Sequence, residues 1–307
     1  MTIVITSCTN RKRRPVEVGL VASALTRGDL LSVAEEWGGR LKEASNKYPA
    51  SEVYGGRAFQ EARLAAEKVG GRLLIISAGL GAVEASSLIP SYACTVQKGA
   101  HDSIAERIEA GFSTSKWWSG LKETSPYHID LPATLDGSDG LVLAALSEGY
   151  FELIADDLLQ SDKSTLARLR IFTRTPASRL PEELQASVMP YDDRLDGPDS
   201  PIKGARSDFA PRAMRHFVEN IMPSAKDGSA QEHADAVGSV LRDWGYLQKV
   251  ERERLEDNEI IKLIEKHWDA ADGSTSKLLR VFRDELKVAC EQGRFAMLAR
   301  KARAGRS

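Results

Sequence analysis

Leu73-Leu74-Ile75-Ile76-Ser77-Ala78-Gly79-Leu80-Gly81 is an apolar run that gives way abruptly to small residues and glycines. A strand buried on both faces of a parallel sheet reads as such a run, and ligands of open α/β sheets lie just beyond the strand carboxyl ends. The stretch therefore predicts a central strand over 73–77 and a ligand site at the glycines that follow it.

Three other segments share the aliphatic, β-branched character: 2–6, 141–146 and 169–173. Helical patterns lie between them. Residues 57–68 bring Phe59, Ala62, Leu64 and Ala66 near one face, and Gly70-Gly71 stops that helix ahead of the strand at 73. Strands alternating with helices predict an α/β fold of three layers around a mainly parallel sheet.

The chain has 307 residues, a length that favours two units. From Leu195 to Asp208 it is dense in Gly, Pro, Asp and Ser, which predicts an ordered loop. Pro223 to Ala230 reads as the linker, placing a boundary near residue 225 and dividing the chain into 1–225 and 226–307. Helices are expected over 231–246, 248–268 and 275 to about 303, the last capped by Ser274 or Thr275. The second domain is thus expected to be all-helical, with a helix-turn-helix arrangement.

The formal net charge of -2 argues against a uniformly basic nucleic-acid coat. Cys8, Cys94 and Cys290 are odd in number and widely spaced, offering neither a disulfide framework nor a CxxC clamp. His101, His128, His216, His233 and His267 lack ligand spacing and read as surface or packing residues. No metal or cofactor is implied. No apolar run approaches the roughly 20 residues that span a bilayer, so no membrane partner is expected and a cytoplasmic location is.

Chemistry-bearing residues gather at the predicted strand ends. Ser7-Cys8-Thr9-Asn10-Arg11 follows the first strand and continues through Lys12, Arg13 and Arg14. Small hydroxyl residues with arginines suit an anionic ligand, and a solvated basic loop is the alternative. Tyr54-Gly55-Gly56-Arg57 precedes a helix, where glycines aim helix amides at a negative group or make a plain turn. At Ser77, Gly79 and Gly81 the backbone could approach a ligand closely. Tyr92 would stack on a nucleobase or pack on its own sheet. Glu148 stands as a general base or oxocarbenium-stabilising group, with a helix-capping role as the alternative. Asp192 is a second catalytic candidate, in a polar loop that also carries Arg206, Ser207 and Asp208; a helix cap is the alternative for Asp208.

Near the carboxyl end, Lys277, Arg280, Arg283 and Lys287 recur every three or four residues, opposite Leu278, Leu279, Phe282 and Leu286. Arg294, Arg300, Lys301, Arg303 and Arg306 follow. This basic stripe suits DNA or RNA, and a solvated helix face is the alternative.

Four pieces together resemble one family: Ser7-Cys8-Thr9-Asn10-Arg11-Lys12, the run from Tyr54 to Arg63, Ile76 to Gly81 with Ile89-Pro90-Ser91-Tyr92, and Leu146-Ser147-Glu148-Gly149-Tyr150. The family comprises small α/β domains of bacteria, archaea and phages that begin with a Cys-Ser-x-x-Lys-like loop. They are similar to the uracil-DNA-glycosylase-like domain attached to archaeal transfer-RNA transglycosylases. The resemblance covers roughly residues 1 to 195. The chain departs from the pattern in opening Ser-Cys-Thr and in carrying Ala78-Gly79-Leu80-Gly81. The resemblance implies a uracil-DNA-glycosylase-like fold and a nucleobase or nucleotide ligand, free or in DNA or RNA. The implied enzyme acts on the N-glycosidic bond or modifies the base, in DNA modification or phage defence. A non-catalytic DNA-binding or nucleotide-sensing protein is the alternative.

Overall fold

The computed structural model describes residues 1–304 apart from residues 110, 226 and 248–250. The chain divides into two compact units, Met1–Leu247 and Gln248–Ser307.

In the first unit, β1 (Ile3–Ser7), β2 (Arg72–Ser77), β3 (Gly81–Glu84), β4 (Val142–Ala145) and β5 (Leu169–Phe172) form a five-stranded sheet in the order β3-β2-β1-β4-β5. Four strands run parallel, and β3 folds back antiparallel to β2 at the edge. Ile5 faces Leu74 on one side and Ala144 on the other. Neighbouring side chains of β1 point to opposite faces, yet Ile3, Val4 and Ile5 are all fully buried. Both faces of the sheet are therefore covered, which is why its strands read as unbroken apolar runs.

The covering helices are α1 (Leu30–Glu43), α2 (Arg57–Val69), α3 (Thr114–Thr124), α4 (Glu148–Gln160), α5 (Phe209–His216) and α6 (Ala230–Arg242). α3 packs between α1 and α4, while α2 packs on α5. Gly70, in the left-handed conformation, ends α2 just before β2, as Gly70-Gly71 predicts.

The turn-rich stretch from Leu195 to Asp208 is wrapped around one fully buried residue, Arg212 of α5. Its guanidinium donates to the carbonyls of Leu195, Ile202 and Ala205 and to the carboxylates of Asp196 and Asp208. One side chain thereby satisfies backbone acceptors that the loop cannot pair within itself.

The expected boundary near residue 225 is not where the units part. The described residues on either side of 226 are held in the first unit: Arg170 donates to the Gly228 carbonyl at 2.8 Å, and His233 bonds the Ala225 carbonyl at 2.6 Å. α6 then buries Val237 and Leu241 in the same core, so the division falls after Leu247.

The second unit contains α7 (Asp257–His267), α8 (Thr275–Asp284) and α9 (Gln292–Ala304) around Ile260, Ile264, Leu278, Phe282, Phe295 and Leu298. It is not all-helical, because Glu253–Arg254 pairs in parallel with Val288–Ala289. The helix expected over 248–268 begins only at Asp257, and its residues 248–250 lie outside the described residues. The helix expected from 275 to about 303 breaks after Asp284: Lys287 takes a left-handed φ of 54°, and Val288 turns into the strand. Ser274 caps α8, its hydroxyl accepting from the Lys277 amide. Arg306 also lies outside the described residues.

Candidate functional site

From β1 the chain proceeds to β2 and β3 on one side, and then to β4 and β5 on the other. The winding reverses between β1 and β4. Loops leaving these two strands diverge, and in doubly wound sheets that divergence opens a crevice. A crevice lies there, in two chambers of about 490 and 410 Å³ that share Ser7, Ala58, Ser147 and Ser207.

The first chamber is lined by Ser7 through Arg11 from the β1 end, by Gly55 to Ala58 at the start of α2, and by Ser147, Gly149 and Tyr150 at the start of α4. Thr95, Val96, Gln97, Ser207 and Asp208 complete it. Thr9 joins two of these loops, its hydroxyl donating to the Gly55 carbonyl at 2.8 Å. Gly56 has a φ of 89°, a conformation that favours glycine and delivers the chain into α2. Neither α2 nor α4, each of 13 residues, has a side-chain cap at its amino terminus. Both therefore present unpaired amides and the positive end of their dipoles.

Two polar clusters set the chemistry of this chamber. Cys8 is buried, with its thiol 3.1 Å from the Tyr150 hydroxyl. Burial pushes the Tyr150 phenol well above its ordinary range, so it stays protonated. At the rim, the Arg57 Nε lies 3.1 Å from Glu61 and 3.5 Å from Asp208. Glu61 is also held by Arg215, and Asp208 by Arg212. Arg57 is half exposed but fixed in direction by two buried carboxylates.

The second chamber has Ala145 to Glu148, Thr173 to Pro176, Arg179, Arg206, and the apolar walls of Phe209 and Pro211. Glu148 stands here, its carboxylate 3.2 Å from Arg179, with both side chains half exposed or more. Arg174 lies over the Phe209 ring at 4.7 Å and pairs with Asp193 and Asp196.

The crevice thus brings together Ser7, Cys8, Thr9, Arg11, Gly56, Arg57 and Glu148. It does not include the glycine stretch. Ser77, Gly79, Gly81, Tyr54 and Tyr92 lie outside both chambers, the tyrosines and Ser77 fully buried. The Ser77 hydroxyl accepts from the Gly79 and Leu80 amides at 3.1 and 2.9 Å, tying a tight turn between β2 and β3. Trp117 and Trp37 donate to the Ala78 and Gly79 carbonyls at 2.8 and 2.6 Å, sealing the turn. The glycines make room for neighbours rather than for a ligand. A Cβ on Gly79 would stand 2.8 Å from the Tyr92 ring, and one on Gly81 would stand 2.5 Å from His128. Tyr92 takes its packing alternative, its hydroxyl bonded to Tyr54 at 2.9 Å and to Ser77.

Lys12 covers this buried tyrosine pair, with its Nζ 4.6 and 5.1 Å from the two ring centres, and burial lowers its pKa. Asp192 also falls outside the chambers, bonded to Arg194 and Tyr246. Sequence reasoning left Tyr150, Gln97 and Ser207 out of the site. Tyr150, two residues after Glu148, and Ser207, in the polar loop carrying Arg206 and Asp208, had local signals, and Gln97 had none.

In the second unit, Arg280 and Arg283 face a cleft of about 990 Å³. Lys277 instead pairs with Asp272 at 2.7 Å, and Lys287 bonds the Asp284 carbonyl. The four-residue stripe is therefore two arginines facing a cleft and two lysines engaged elsewhere.

No protein-family model, curated protein or solved structure matches the chain.

Proposed function

We propose that the crevice between β1 and β4 binds a nucleotide, free or within DNA or RNA, and that the protein acts on its base at the N-glycosidic bond. One observation carries this reading: α2 and α4 both open, uncapped, onto a cavity that also holds Ser7, Arg11 and Arg57. Converging amides and helix dipoles favour a phosphate, and arginines grip it bidentately. The base belongs in the second chamber, between the apolar walls of Phe209 and Pro211 and beside Glu148. There Glu148 would orient water or stabilise an oxocarbenium-like transition state. The motif resemblance to uracil-DNA-glycosylase-like domains supports the same assignment.

The test is base release by the full chain from nucleoside monophosphates and from a uracil-containing oligonucleotide, quantified by chromatography. Glu148→Gln is expected to lower release about 100-fold or more while leaving nucleotide affinity nearly unchanged. Undiminished release by this variant contradicts the catalytic assignment.

A second reading, nucleotide sensing without turnover, is favoured by the state of the other crevice carboxylate. Asp208 is buried and engaged by both Arg212 and Arg57, leaving Glu148 to act alone. Nucleotide binding with no base released from any of these substrates decides for sensing.

A further inference from the structure

We infer that the arginine-lined cleft of the second unit is a binding site for the phosphodiester backbone of nucleic acid. Five guanidinium groups line it, from Arg252, Arg254, Arg280, Arg283 and Arg294, against the carboxylates of Asp284 and Glu291. Four come from three separate elements, and Arg252 stands just ahead of the first. Arg254 belongs to the two-residue strand, Arg280 and Arg283 to α8, and Arg294 to the first turn of α9.

The guanidinium groups differ in what already engages them. Arg252 donates to the Arg283 carbonyl at 3.0 Å, Arg283 to the Cys290 carbonyl at 3.2 Å, and Arg294 to Asp257 and the Leu255 carbonyl. These contacts fix three heads in place while leaving some of each fork's donors free. Arg254 and Arg280 are exposed and make no ion pair or side-chain hydrogen bond among the described residues. The carboxylates offer them little competition. Glu291 accepts from the Gly293 and Arg294 amides at 2.9 and 3.0 Å, and Asp284 lies 4.0 Å from Arg252.

A set of pre-positioned guanidinium forks with two unengaged members matches the geometry of phosphate oxygens repeated along a strand. The concave shape selects a chain that can enter it over a flat lipid surface. This assignment extends the reading of the crevice as a nucleotide site, and the two fail separately. Loss of the cleft weakens polymer binding with monomeric nucleotide binding intact, and failure of the crevice removes monomeric nucleotide binding while the polymer's salt-dependent binding to the cleft remains.

The experiment is fluorescence anisotropy of a labelled single-stranded DNA of about 20 nucleotides with the full chain, across a salt series. Arg254→Ala combined with Arg280→Ala is expected to weaken binding about tenfold and to lower the salt slope by roughly 1 to 2. Both side chains are exposed, and circular dichroism checks that the fold is kept. Lys277→Ala with Lys287→Ala is expected to leave affinity within about twofold, since exposed charges outside a site contribute little. The inference is overturned if the arginine pair has no effect, if the lysine pair weakens binding as much, or if the wild type binds phosphatidylserine vesicles and not the oligonucleotide.

Discussion

His216 is buried with its ring against Tyr191 and Trp244, its Nδ1 2.7 Å from the Tyr191 hydroxyl, and burial brings its pKa down from 6.5 to about 4. His233 is also lowered. Its Nδ1 must accept from Arg170 Nε at 2.8 Å, so a proton there would break the bond. A histidine whose folded pKa is depressed contributes stability that is full above its unfolded pKa and is lost as pH falls toward the folded one. The melting temperature should therefore drop between pH ~6.5 and ~5, and the full His216 contribution is on the order of 3 kcal/mol. A flat melting temperature over that window, or an unchanged drop in His216→Gln, contradicts the assignment. Gly79 makes a second prediction at this scale. Gly79→Ala should cost about 1–3 kcal/mol in urea unfolding through its clash with Tyr92, without altering nucleotide affinity. Lost affinity in a stably folded variant would return the glycine turn to the site. Sequence alone does not separate the two roles of glycine, because closeness to a ligand and closeness to a tyrosine ring both require a missing Cβ.

The strands were the most legible elements. Each of the four predicted apolar runs is a parallel strand within a residue or two of its expected bounds, because burial on both faces leaves few polar positions, Thr6 and Arg170 among them, to blur the pattern. The antiparallel strand Gly81–Glu84 was not legible, since a four-residue edge strand following glycines looks like a loop. The crevice wall from residues 95–97 was equally hidden, and for the polar loop at 206–208, singled out by its composition, only the folded topology brings it to the β1 end. The loop from Leu195 to Asp208 is ordered by Arg212. Arg212→Met should leave the Leu195, Ile202 and Ala205 carbonyls unpaired and the Asp196 and Asp208 carboxylates ion-paired only with Arg174 and Arg57, at a cost of about 3–5 kcal/mol. Urea unfolding measures the loss, and limited proteolysis should cut within residues 195–208. Wild-type resistance and stability would mean that the loop holds its own shape.

Over the whole chain, the composition of Pro223 to Ala230 imitated a linker, and only the bonds of Ala225 to His233 and of Gly228 to Arg170 place it inside the first unit. A chain ending at residue 247 should melt cooperatively. One ending at residue 225 should not, having lost His233, Val237 and Leu241 from the core. Two cooperative melts of similar midpoint would contradict the boundary.

The account centres on a nucleotide in the crevice between β1 and β4 rather than at the glycine turn after β2. Photocrosslinking of the full chain to an iodouridine monophosphate, with the modified peptides identified by mass spectrometry, tests this directly. The account predicts adducts within residues 145–148, 173–176 or 206–211, with Phe209 as the aromatic acceptor, and their loss when unmodified nucleotide competes. Competable adducts confined to residues 77–81 or to Tyr92 would contradict it.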